Sequence, residues 1–153
     1  MHNQFNLVHL SLHCRGRKNN EMSDGRMKIF VVDDDESVCR ALKTLLMTFD
    51  FEVITYNSAI SFFEAVPNDE PGCLVLDIHM PELDGWAAQK KIFESGSKRP
   101  VIFISAEKQE TVGDRALKVG AVGFLQKPVN GQTLVDLIHL AAQTTHTNKM
   151  IQG

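Results

Sequence analysis

Cys73-Leu74-Val75-Leu76-Asp77-Ile78-His79-Met80-Pro81 is the stretch whose reading decides the fold. A short apolar run that ends abruptly in a carboxylate reads as a buried strand. Pro81 opens a loop, and Asp84-Gly85 closes it before a helical pattern begins. Asp77 is therefore expected at the carboxyl end of a central strand, facing a mouth lined by loops. Upstream, Ile29-Phe30-Val31-Val32-Asp33-Asp34-Asp35 repeats the design, an apolar strand followed by acids. Two strands that end in acids at one edge make a site for a hard cation, and a carboxylate beside a cation can serve as a nucleophile.

The rest of the composition narrows the class. A chain of 153 residues with 43% apolar and 23% charged residues is expected to be one globular domain. Sixteen basic against nineteen acidic residues argue against nucleic acid as a direct partner. No apolar run approaches the roughly 20 residues of a membrane helix, and no secretory leader pattern is present, so a cytoplasmic protein is expected. Cys14, Cys39 and Cys73 form no CxxC pair, which points away from zinc and from a disulfide framework. Cys39 and Cys73 are expected to pack as small hydrophobes.

Residues 1–26 are read as a flexible N-terminal extension, residues 27–145 as the folded domain and residues 146–153 as a frayed tail. Within the domain, strand 1 is expected at Lys28 to Val32. A helix follows, with Val38, Ala41, Leu42, Leu45, Leu46 and Phe49 as its apolar stripe. Phe51 to Thr55 reads as strand 2. A short helix capped by Asn57 or Ser58 carries Ile60, Phe62 and Phe63, and Pro67 ends it. After strand 3 come helix 3 from Gly85 to Glu94, strand 4 at Val101 to Ile104, and helix 4 from Gln109 to Val119. Strand 5 covers Val122 to Gln126, and helix 5 carries Leu134, Leu137, Ile138, Ala141 and Ala142 at core spacing.

Five strand-then-helix units imply an α/β fold: a three-layer, doubly wound, five-stranded parallel sheet, (βα)5, of the flavodoxin or CheY-like class. For strand order 2-1-3-4-5, ligands bind where the order reverses, between strands 1 and 3. Those strands end in Asp33-Asp34 and Asp77, so topology and chemistry choose one place independently.

The other strand tips supply Ser105 on strand 4 and Lys127 on strand 5. Three clustered carboxylates repel unless a cation sits among them. Magnesium suits such a site because it takes one or two carboxylates and keeps room for phosphate oxygens. Manganese is an acceptable substitute. A divalent ion and Lys127 together balance three Asp, which would let a phosphoryl group approach Asp77. Asp77 would attack phosphorus while Lys127 and the Ser105 hydroxyl face the phosphoryl oxygens; phosphoryl transfer depends chiefly on such positioning and electrostatics.

Four motifs in this order, Val31-Val32-Asp33-Asp34-Asp35, Leu76-Asp77-Ile78-His79-Met80-Pro81-Glu82-Leu83-Asp84-Gly85, Ile104-Ser105-Ala106, and Gly120-Ala121 through Phe124-Leu125-Gln126-Lys127-Pro128, carry a resemblance. From Lys28 to about Gln143 the chain resembles a response-regulator receiver domain of the CheY-like superfamily, with the segment Gly120 to Val129 closer to receivers of the FixJ type. The resemblance implies a two-component, phosphorelay signalling role. Asp77 would be the phosphoacceptor, loaded from a sensor histidine kinase or a histidine phosphotransfer protein. Asp33, Asp34, Asp77 and the His79 backbone carbonyl would hold magnesium. Ser105 and Phe124 would be the switch residues, with Phe124 turning inward on phosphorylation. Lys127-Pro128 is often a cis peptide in the family. The helix 4, strand 5 and helix 5 face would meet a downstream protein or a second copy of the chain as a homodimer.

Two departures stand out. Ser105 replaces the commoner threonine, keeping the hydroxyl but losing the methyl that restricts its rotamer. His79, two past the acceptor, is unusual, and Glu107 occupies the matching position past Ser105, so the pair is a candidate gate. Asp35 and Asp84 read as helix-start and turn residues rather than chemistry. The expected protein is a stand-alone receiver whose only catalysis is its own phosphotransfer and autodephosphorylation. The alternatives are the receiver portion of a transcription regulator without its DNA-binding domain, a magnesium-dependent phosphohydrolase, and a phosphorylation-independent interaction module.

Overall fold

Alternation along each strand explains how one sheet holds helices on both faces. The computed structural model describes residues 25–152, with side chains placed as far as Gln143. Five parallel strands run in the order β2-β1-β3-β4-β5: β1 (Lys28–Val32), β2 (Glu52–Tyr56), β3 (Cys73–Asp77), β4 (Val101–Ser105) and β5 (Gly123–Gln126). The helices between and after them are α1 (Glu36–Met47), α2 (Ala59–Ala65), α3 (Gly85–Ser95), α4 (Gln109–Lys118) and α5 (Gly131–Gln152). Phe30, Val32, Leu74, Leu76, Val101 and Phe103 face α2, α3 and α4 in one core. Ile29, Val31, Cys73, Val75, Ile102 and Ile104 face α1 and α5 in the other. Strands covered on both faces read as continuous apolar runs, which is why no polar alternation marks them in the sequence.

Local chemistry sets the helix ends. Asp35 caps α1 by accepting from the Ser37 and Val38 amides, Ser58 caps α2, and Asp84 caps α3 by accepting from the Ala87 amide. Gly96 ends α3 in the left-handed region, at φ 81°, where a side chain is disfavoured. The buried residues of α1 are Cys39, Leu42 and Leu46, with Val38 and Leu45 partly buried against the same core as the spacing predicts. Ala41 is exposed and Cys39 takes its place. Phe49 is 39% exposed because α1 stops at Met47 and the chain turns there, with Asp50 at φ 69°. Ile60 is likewise 40% exposed, leaving Phe62 as the buried side chain of α2 with Ala59. The backbone of α5 is helical as far as Gln152. Almost all of the expected N-terminal extension lies outside the described residues.

At the amino edge of the sheet, far from the acids, the Arg99 guanidinium donates to the carbonyls of Pro67, Asn68 and Glu70. It also lies 5.4 Å from the centres of the Phe30 and Phe62 rings. Burial lowers its pKa, with Glu70 and Asp69 opposing. Its donors tie the loop after α2 to the loop before β4. A groove of about 440 Å³ lies beside it, lined by Pro71, Gly72, Ser95, Lys98 and Pro100 among others.

Candidate phosphoryl-acceptor and cation site

Register alone brings two acids together. β1 and β3 pair Val31 with Val75 and Val32 with Leu76, so the next step sets Asp33 beside Asp77. Asp34 follows Asp33 on the rim and is exposed, whereas Asp33 is fully buried and Asp77 is 3% exposed. Oxygens of all three lie within 4.8 Å of one another. From β5, the Lys127 ammonium stands 2.8 Å from Asp33 Oδ2 and 3.3 Å from Asp77 Oδ1. The Lys127 amide donates to the Ser105 carbonyl, locking the end of β5 to the end of β4, and Lys127-Pro128 is cis.

Asp33 is held from below. Its Oδ1 accepts from the Asp35 amide at 2.9 Å, and the Cys39 thiol donates to its carbonyl at 3.3 Å. Neither support was read from the sequence, although Asp35 as the cap of α1 is the signal that fixes the turn. Asp33 Oδ2 is buried, with the Lys127 ammonium at 2.8 Å as its ion-pair partner. A buried carboxylate oxygen with lone pairs to spare, beside two other acids, is a donor set suited to a hard divalent ion. The residues present therefore fit magnesium.

The electrostatics show the strain of bringing the acids together. Burial and then repulsion from Asp33 push the Asp77 pKa up to about 6, against the pull of Lys127. For Lys127 burial disfavours the charged form, but Asp33 and Asp77 outweigh it and the pKa is raised. So the ammonium stays charged opposite a carboxylate that is short of stabilisation.

Ser105 ends β4 fully buried, and its Oγ accepts from the Glu107 amide at 3.1 Å. Across the mouth the His79 ring Nε2 lies 2.6 Å from Glu107 Oε2, so the two exposed side chains bridge the loops after β3 and β4. Phe124 is 8% exposed and sits in the core shared with α2, α3 and α4, beside Phe103 in the register. Its side chain is thus already largely buried in this structure. Phe103 in turn packs on Trp86, over which the Arg115 guanidinium sits at 4.0 Å, linking α3 to α4. No described helix is long and apolar enough to cross a membrane.

Comparison with known proteins agrees with this geometry. The response regulator receiver domain family matches residues 29–139. The chain is similar to the response regulator protein TmoT of Ectopseudomonas mendocina, 35% identical over 128 residues, 84% of this chain and 58% of that protein. It is 41% identical over 113 residues to the transcriptional regulatory protein TdiR of Thauera aromatica, covering 74% of this chain and 50% of TdiR. Among solved structures, FixJ-N superposes with a TM-score of 0.71 at 28% identity, covering 76% of this chain and 94% of that one. The chain thus spans between half and three-fifths of the length of TdiR and TmoT. Fold, strand-tip acids and family match agree: this chain belongs to the response regulator receiver domain family of two-component signalling.

Proposed function

We propose that this chain accepts a phosphoryl group on Asp77 from a phosphohistidine of a sensor histidine kinase or a histidine phosphotransfer protein. The observation that carries the reading is the convergence of Asp33, Asp34 and Asp77 within 4.8 Å, with Lys127 against two of them. Asp33, Asp34, Asp77 and the His79 carbonyl would hold magnesium, which when bound neutralises charge on the carboxylates and the incoming phosphoryl oxygens. The chain's own groups do the rest. An Asp77 carboxylate oxygen forms the new bond to phosphorus as the bond to the donor nitrogen breaks, and the electron pair leaves with the imidazole. Lys127 faces the phosphoryl oxygens as a fixed cation. Ser105 Oγ, now an acceptor for the Glu107 amide, turns to donate to a phosphoryl oxygen, which frees the start of α4 to shift.

In this reading the α4, β5 and α5 face carries the signal to a downstream protein or a second copy of the chain, in the cytoplasm. TdiR is named a transcriptional regulatory protein and extends well beyond the matched region. That favours, as the second reading, a receiver that works with a DNA-binding portion.

The test is labelling with acetyl phosphate. The wild-type chain should acquire one acid-stable, base-labile phosphoryl group in magnesium and none in EDTA, and Asp77→Asn should stay at background. Undiminished magnesium-dependent labelling of Asp77→Asn would remove the assignment. The His79–Glu107 bridge is proposed to gate water at the acylphosphate. Glu107→Gln, which weakens the bridge, should alter the phosphoryl half-life severalfold, and an unchanged half-life would mean that the pair is a surface contact only.

A further inference from the structure

Gly85 lies against the acceptor strand so closely that it has no room for a side chain. Gly85 begins α3 and is buried. A Cβ built on it would lie 2.6 Å from the Asp77 carbonyl oxygen and 2.7 Å from the Ile78 Cα. Its amide donates to the Ile78 carbonyl at 2.7 Å. The first turn of α3, held by the Asp84 cap, is therefore seated directly on the Asp77–Ile78 peptide. On the other side of that peptide, the Ile78 amide donates to the Ile104 carbonyl of β4 at 3.1 Å. The peptide that carries the acceptor is clamped between a strand and a helix start, and only hydrogen fills the gap at Gly85.

We propose that Gly85 is a positioning residue for the phosphoryl acceptor: its missing side chain lets α3 act as a backstop that fixes the Asp77–Ile78 peptide, and with it the Asp77 carboxylate against Lys127. The inference rests on the reading of Asp77 as acceptor. An added methyl group must push that peptide back by roughly 0.8 Å to reach an ordinary contact of about 3.4 Å, since backbone atoms cannot rotate away as a side chain can. Misplacement on that scale is worth about 100-fold in rate when reaction depends on alignment. Gly85 has no positive φ, so its backbone conformation is one that alanine adopts freely. As far as the helix alone is concerned, Gly85→Ala should stabilise the protein. The contact with Asp77 predicts the opposite sign for function.

The experiment compares the wild-type chain, Gly85→Ala and Lys90→Gly, each shown to be folded by circular dichroism. Lys90 is an exposed residue of α3 beyond its first turn, so Lys90→Gly weakens the helix without touching the Asp84 cap or adding bulk against Asp77. Initial rates of labelling by acetyl phosphate in magnesium should fall by about 10- to 100-fold in Gly85→Ala and stay near wild type in Lys90→Gly, even though Lys90→Gly melts at a lower temperature. Equal rates for Gly85→Ala and wild type would overturn the proposal. So would an equal loss in Lys90→Gly, which would make it a matter of helix stability. A wild-type chain that takes no label would instead remove the acceptor reading. A second measurement needs no variant: the Gly85 amide of the wild-type chain should resist hydrogen exchange as strongly as the β3 amides. Rapid exchange there would show that the backstop is loose and would overturn the proposal even if Gly85→Ala fails to fold.

Discussion

Lys127→Met should lower the rate of labelling at Asp77 by about 100-fold or more, the effect of removing one preorganised positive partner from a forming phosphoryl site. It should also bind magnesium more tightly than wild type, because the ion no longer shares the pocket with an ammonium group. The two effects have opposite signs and come from one distance set, Nζ at 2.8 Å from Asp33 and 3.3 Å from Asp77. In EDTA the variant should also unfold more easily, by about 3–5 kcal/mol, since a fully buried Asp33 loses its cation. Magnesium should return part of that stability. Calorimetric titration and thermal melts with and without the ion check both signs. Weaker magnesium binding together with a normal labelling rate would place Lys127 outside the site.

Asp77→Asn is expected to stabilise the metal-free protein. The Asp77 pKa is raised from 3.8 to about 6 in the fold, by burial first and Asp33 second. The folded state thus holds this proton more tightly than the unfolded chain. Between about pH 4 and pH 6 wild-type stability should fall as pH rises, and above that window the loss is complete. The penalty is about 1–3 kcal/mol, from the rule that one pKa unit is about 1.4 kcal/mol. Asparagine carries no charge, so its advantage over wild type should be near zero at about pH 4 and full at about pH 7 and above. Melts in EDTA across this range test it. Parallel curves for the two proteins, or a less stable Asp77→Asn at neutral pH, would contradict the crowding of charge described here.

These expectations also show what the sequence could and could not reveal. β1 and β3 were legible to the residue because an apolar run broken by an acid has few other readings. The juxtaposition of Asp33 and Asp77 followed from strand order and period. Exposure at Ala41, Phe49 and Ile60 was not legible, because the end of α1 and the short length of α2 decide which face those residues present. The burial of Phe124 arises only once β5 pairs with β4 and sets it beside Phe103, which in turn packs on Trp86 of α3. Gly85 was legible as the end of a loop, but its contact with the Asp77 carbonyl arises only when the loop returns to the strand it left. The same holds for the His79–Glu107 bridge, whose partners stand on separate loops and whose 2.6 Å separation no spacing rule supplies.

The most direct measurement is a magnesium titration of the wild-type chain beside Asp33→Asn, Asp34→Asn and Asp77→Asn, followed by calorimetry. One saturable site is expected at millimolar or lower concentration, with each substitution weakening it by about tenfold or more, as the loss of a ligand charge does at carboxylate sites. Binding that persists unchanged in all three variants, or the absence of saturable binding to the wild-type chain, would contradict a cation held jointly by the tips of β1 and β3.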